Sequence, residues 1–153
     1  MNNKILVIAL GNDILSDDGV AIEALNYLKE EYSEKIELEE VFGGGLELLD
    51  LMEGKEKVLI IDSIYTGQAE PGTIYELNED NFSKTITSSP HYVGLPEVLN
   101  MAKLLEIPFP NEIKILAMEI KNINEVKQGL SKEVQDKLPS LVFIAKEIIE
   151  KWI

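Results

Sequence analysis

Two carboxylates and the chain's one histidine are the side chains whose types and settings best suit chemistry. Asp18 closes the acidic pair in Gly11-Asn12-Asp13-Ile14-Leu15-Ser16-Asp17-Asp18-Gly19. Asp62 ends the apolar run Val58-Leu59-Ile60-Ile61, and His91 lies in Ser88-Ser89-Pro90-His91-Tyr92-Val93-Gly94-Leu95. Two carboxylates and an imidazole suit a borderline divalent ion and leave coordination positions open. Three protein ligands with a vacancy describe a reactive or substrate-sharing site better than a closed structural one. Each residue also has a plain structural explanation. Asp17 or Asp18 would cap a helix and suit its dipole, Asp62 would accept loop amides, and a lone histidine is commonly a satisfied structural residue. A Ser-His-Asp arrangement is available through Ser63 or Ser89, but no Gly-x-Ser-x-Gly elbow accompanies it. Neither Gly-x-x-x-x-Gly-Lys-[Ser/Thr] nor Gly-x-Gly-x-x-Gly occurs, so nucleotide binding has no motif to rest on. Gly43-Gly44-Gly45 frees backbone amides for close approach by a partner chain, or else relieves a crowded loop.

These residues need elements to bring them together. Continuous apolar runs bounded by turn residues, Ile5–Leu10, Val58–Ile61 and Ile113–Met118, predict strands buried on both faces. The alternating Ile36-Glu37-Leu38-Glu39-Glu40-Val41 predicts a more exposed strand, and Thr73–Leu77, after Pro71-Gly72, an edge strand or the return of a hairpin. Helical spacing of Val20, Ala21, Ala24, Leu25 and Leu28 predicts a helix with Asp17 or Asp18 at its N-cap. Further helices are predicted over Leu46–Met52, closed by Gly54, over Leu95–Leu105 with Pro96 in its first turn, and from Ser131 to Trp152 with a break or restart at Pro139. Strands alternating with helices imply an α/β fold, a three-layer α/β/α sandwich around a largely parallel sheet. Ligands of such sheets bind beyond the C-terminal ends of the strands. Gly11–Gly19, Phe42–Gly45, Asp62-Ser63 and Ser88–Gly94 all fall on that rim.

Composition narrows the function classes. The 153 residues carry no repeat or linker and read as a single domain over 1–153. The absence of cysteine excludes disulfides, thiolate metal sites and cysteine nucleophiles. Twenty-eight acidic against fourteen basic residues, a net charge of −14, argue against nucleic acid, whose binding depends on Lys and Arg. No apolar run reaches the roughly 18 residues of a membrane span. The opening apolar run enters Gly11-Asn12-Asp13 without a cleavage site, so it reads as a buried strand and the expected location is cytoplasmic.

At these residues the sequence resembles the hydrogenase maturation peptidases. The likeness lies in a strand followed by Gly11-Asn12 and Asp17-Asp18-Gly19, a strand-ending Asp62 followed by Pro71-Gly72-Thr73, and Ser89-Pro90-His91 with Gly94-Leu95 leading into a helix. Gly129-Leu130-Ser131 with Val134 extends it to about residue 140. Four departures accompany it. Ala9 stands in place of the first glycine of Gly-x-Gly-Asn and Ala21 in place of a glycine after the acidic pair. Phe42-Gly43-Gly44-Gly45 replaces Asp-Gly-Gly-Thr, and no proline follows Glu119.

The resemblance implies a phosphorylase/hydrolase-like fold and an endopeptidase, of aspartyl type in its key groups, acting on the immature large subunit of a [NiFe] hydrogenase. Asp18, Asp62 and His91 would form its metal-binding and catalytic set. They would recognise nickel shared with or supplied by the substrate, with other divalent ions as substitutes, before one cut releases a short C-terminal peptide. Gly43, Gly44 and Gly45 would meet the substrate chain. Metal activation of water and a carboxylate general base both remain open. Two rivals stand beside this reading. One is a phosphoacceptor receiver domain built on the acidic pair, Asp62 and Lys121; the other is a non-catalytic adaptor that keeps the metal cleft for docking.

Overall fold

The computed structural model describes residues 2–11, 16–42, 46–78, 95–121 and 129–153. Five strands form one sheet: β1 (Asn2–Leu10), β2 (Ile36–Val41), β3 (Lys57–Ile64), β4 (Ile74–Asn78) and β5 (Glu112–Glu119), in the order β2-β1-β3-β5-β4. β1, β2, β3 and β5 are parallel, and β4 adds an antiparallel edge beside β5. The three continuous apolar runs become the three central strands, because a strand covered on both faces has no side for polar residues. β2 is an edge strand with only its end residues Ile36 and Val41 buried, which its alternating glutamates require.

Successive side chains of a strand point to opposite faces, so each apolar strand feeds two cores. Val7, Ala9, Leu59 and Ile61 face one layer, made of α1 (Val20–Tyr32) and the C-terminal α4 (Lys132–Trp152). Leu6, Ile8, Leu10, Val58 and Ile60 face the other, with Leu48 and Met52 of α2 (Leu46–Met52). Leu49 of α2 packs with Ala102 of α3 (Leu95–Leu104) in a satellite of that layer. The result is the expected three-layer α/β/α arrangement around a mostly parallel sheet.

Two local expectations are corrected. α4 runs unbroken through Pro139. A mid-helix proline costs about 3 kcal/mol, but Pro139 lies on the exposed side. The opposite stripe of Val134, Leu138, Leu141, Ala145, Ile148, Ile149 and Trp152 is buried, and each large apolar side chain there contributes roughly 1.5–3 kcal/mol. Burial therefore outweighs the defect. The N-cap of α1 is Gly19 rather than an aspartate, with no side-chain cap, because a 3-10 turn over Ser16–Gly19 precedes the helix and commits both aspartates elsewhere. β4 fulfils the edge-strand expectation. It is entered through Gly72, whose φ of +96° suits glycine and whose amide donates to the Glu119 carbonyl at 2.7 Å.

The far ends of α1 and α4 are joined by the Tyr32 hydroxyl, which donates to Glu150 Oε1 at 2.6 Å. Burial pushes the Tyr32 phenol well up from its ordinary value, and the neighbouring Glu150 and Glu31 carboxylates push the same way. A folded-state pKa raised above the unfolded one contributes stability that is complete below the unfolded pKa of about 10 and is lost as the pH rises beyond it. Folding stability is therefore expected to fall on the alkaline side, by up to about 1.4 kcal/mol per pH unit for this group. Tyr32→Phe should flatten that slope in urea unfolding curves, leaving the smaller same-signed contribution of Tyr75, whose phenol burial also pushes up. Equal alkaline slopes in the two proteins would exclude Tyr32 as the cause.

Candidate functional site

The two neighbouring aspartates of the 3-10 turn do different things. Asp17, 1% exposed, accepts from the Ser131 amide at 2.6 Å, the Ser131 hydroxyl at 2.8 Å and the Lys121 amide at 3.1 Å. It thus ties the turn to the segment after β5 and to the start of α4. Ser16 supports the same junction by donating to the Gly129 carbonyl at 3.3 Å. Asp18, 5% exposed, turns instead toward β3 and accepts from the Ser63 hydroxyl at 2.8 Å.

β3 supplies the second carboxylate. Asp62 is fully buried, and its Oδ1 accepts from the Ser63 backbone amide at 2.7 Å. Alternation along β3 puts Ser63 on the α1/α4 side with Leu59 and Ile61, and Asp62 on the α2 side with Val58 and Ile60. Asp18 and Asp62 therefore flank the C-terminal end of β3, with one serine donating to each. Close approach of the 3-10 turn to β1 requires Gly11. A Cβ there would collide with the Asp18 carbonyl, and its amide donates to the Val41 carbonyl at 3.2 Å.

A fourth buried acid on this rim, Glu119 at the end of β5, serves the scaffold. It accepts from the Thr66 hydroxyl at 2.5 Å, the Thr66 amide at 2.8 Å, the Tyr75 hydroxyl at 3.0 Å and the Gly67 amide at 3.3 Å. These bonds hold the turn that leaves β3 against β4. The scaffold role of Glu119 and the bridging role of Ser63 are not among the sequence-based expectations. The signal for Glu119 was an acid closing an apolar strand, and for Ser63 its place directly after Asp62.

Among the described residues no group of three His, Cys, Asp or Glu side chains comes together in metal-binding fashion. Asp18 and Asp62 are the two predicted ligands within those residues. His91 lies outside them, as do Gly43, Gly44 and Gly45 and the Ser88–Gly94 segment. Lys121, the lysine that a receiver domain would need, points its ammonium to the Glu133 carboxylate of α4 at 3.5 Å and is mostly exposed. The Ser63 hydroxyl, one of the two available to a Ser-His-Asp arrangement, is buried and donates to Asp18.

Comparison with known proteins identifies the family and the fold. The sequence model of the hydrogenase maturation protease family matches residues 22–148. The hydrogenase 2 maturation protease of Escherichia coli is 29% identical over 119 residues, covering 75% of this chain and 72% of that protein. The hydrogenase expression/formation protein HupD of Bradyrhizobium diazoefficiens is 24% identical over 99% of this chain and 80% of its own. The [NiFe] hydrogenase maturation protease HybD from Thermococcus kodakarensis superimposes with a TM-score of 0.76 at 27% identity, covering 95% of this chain and 98% of that one. The hydrogenase maturating endopeptidase HybD of E. coli shares the fold with a TM-score of 0.84 at 23% identity, over 97% and 93% of the two chains. With a family match across most of its length, including β2, β3, β5 and nearly all of α1 and α4, the chain belongs to the hydrogenase maturation proteases, endopeptidases that hydrolyse a peptide bond.

Proposed function

We propose that the chain removes a short C-terminal peptide from the nickel-loaded precursor of a [NiFe] hydrogenase large subunit, reading the substrate's nickel through Asp18, Asp62 and His91. The observation that carries this reading is the pair of buried carboxylates held on one serine at the C-terminal end of the sheet. Carboxylate oxygens with an imidazole form a donor set suited to nickel and to other divalent ions. A set that leaves coordination positions vacant shares the ion with its substrate, so cleavage waits until nickel has been inserted. Asp18 and Asp62 would orient the loaded precursor and hold a proton-accepting oxygen near the scissile bond. Gly43, Gly44 and Gly45 would let the extended substrate backbone approach. Phe42 and Tyr65, exposed where the chain leaves β2 and β3, offer apolar contacts on the same edge. No helix among the described residues is long and apolar enough to cross a membrane, and we place the reaction in the cytoplasm, where the precursor is made.

The test is intact-mass analysis of a nickel-loaded precursor from the same organism, incubated with this protein or with its His91→Ala form, beside a nickel-free precursor. One discrete loss from the precursor's C-terminus, requiring both nickel and His91, is expected. An unchanged mass with every resident precursor would overturn the assignment. Cleavage that persists without nickel or without His91 would remove the metal-reading step.

A further inference from the structure

We propose that Ser63 is a positioning residue whose hydroxyl sets the Asp18 carboxylate beside Asp62, which its backbone amide engages; the inference rests on the functional reading above and deepens it. Its two donors are divided between them: the hydroxyl goes to Asp18 Oδ1 at 2.8 Å and the amide to Asp62 Oδ1 at 2.7 Å. The serine is 3% exposed, so water does not compete for these bonds and its rotamer is fixed by the packing around β3. Each carboxylate has one oxygen engaged by the serine, which orients its plane and the other oxygen. The position on β3 makes this possible. Pairing with Met118 of β5 locks the Ser63 backbone, so the amide donated to Asp62 belongs to a rigid strand rather than to a loop.

Asp18 comes from a separate element, the 3-10 turn, and the hydroxyl of Ser63 holds its carboxylate in register with the strand. Hydrogen bonds of this kind behind a metal ligand typically carry 10- to 100-fold in affinity, because they fix the ligand before the ion arrives. The residue that matters is therefore the serine directly after Asp62 on β3. An alanine there would keep the amide bond to Asp62 and lose only the hold on Asp18.

The test uses the whole purified protein and nickel(II) ion alone, with binding followed by calorimetry and folding by thermal unfolding. The variants are Ser63→Ala, Ser63→Thr and Asp18→Ala. Ser63→Ala is expected to weaken nickel binding by about 10- to 100-fold, and Ser63→Thr, which keeps the hydroxyl, to stay within about threefold of the parent. A merely structural serine would lower the unfolding temperature of Ser63→Ala without moving its nickel affinity, and that result would overturn the proposal. So would equal losses in Ser63→Ala and Ser63→Thr. Loss of binding in Asp18→Ala with full binding in Ser63→Ala overturns the role of Ser63 and leaves the site assignment standing. Unchanged binding in Asp18→Ala, or none in the parent, overturns both.

Discussion

Asp62→Asn is expected to slow processing of the nickel-loaded precursor by about 10²- to 10³-fold, the loss typical when one preorganised electrostatic group is removed from an active site. The substitution keeps shape and volume. Its amide oxygen still accepts from the Ser63 backbone, so the end of β3 retains its geometry. What disappears is the negative charge, in a position with no exposure to water. An amide nitrogen could also turn toward the ion, which would repel it. Removing a charge from a buried place lightens the desolvation cost, so the unfolding temperature should stay within about 4 °C of the parent. Activity and stability thus move apart, and that separation marks a functional rather than a structural carboxylate. Single-turnover intact-mass kinetics with a thermal melt on the same sample provide both readings. A variant that processes at the parental rate would return Asp62 to the role of an acceptor for strand-end amides. Asp62→Ala is the poorer probe, because emptying a fully buried site adds a cavity penalty that falls on stability.

The order of strands and helices was legible because the signals for it are local. Ile5–Leu10, Val58–Ile61 and Ile113–Met118 are apolar without alternation, which specifies strands covered on both sides. Each strand proved longer than its apolar run. Hydrogen-bonded pairing continues through Asp62, Ser63 and Glu119, where the residue types no longer announce a strand. Those polar strand ends are where the candidate site lies. The sequence marked Asp18 and Asp62 through their positions after strands and through the resemblance, which singles out the second acid of the pair, but it gave no physical ground for the different roles of Asp17 and Asp18. Both acids are buried, and which of them meets β3 is decided by the 3-10 turn and by partners of Asp17 about 100 residues or more away in the chain, Lys121 and Ser131. The Ser63 bridge was hidden for the same reason, since its hydroxyl meets a residue 45 positions earlier. Pro139 misled in the opposite direction. Local chemistry predicts a break there, and a continuous buried stripe on the other side of α4 overrides it.

Asp17→Ala is expected to lower folding stability by about 3–5 kcal/mol, a large share of the roughly 5–15 kcal/mol that holds a domain together. The carboxylate accepts three hydrogen bonds from two segments that nothing local connects to the turn. Hydrogen bonds to a charged group contribute about 1.5–3 kcal/mol each, and the amides of Lys121 and Ser131 would be left without this acceptor. Neighbouring losses do not add fully, which keeps the total below the simple sum. Asp17→Asn should fall between the two proteins. Its single carbonyl oxygen can serve one amide, while its own NH₂ would face the other donor. Asp136→Ala is the control, since its exposed pairing with Lys132 at 3.9 Å on α4 should change stability by less than about 0.5 kcal/mol. Urea unfolding followed by fluorescence of Trp152, the one tryptophan and a buried residue of α4, reads all three. An Asp17→Ala protein within about 1 kcal/mol of the parent, less than one charged hydrogen bond contributes, would show that the turn is held by its packing alone. The consequence for function follows from adjacency. Asp17 anchors the same four-residue turn that presents Asp18, so loosening the tie should weaken nickel binding along with stability. Asp62→Asn should weaken it with stability intact. One acid of the pair holds the turn in place, and on the proposed function the other uses the position so fixed.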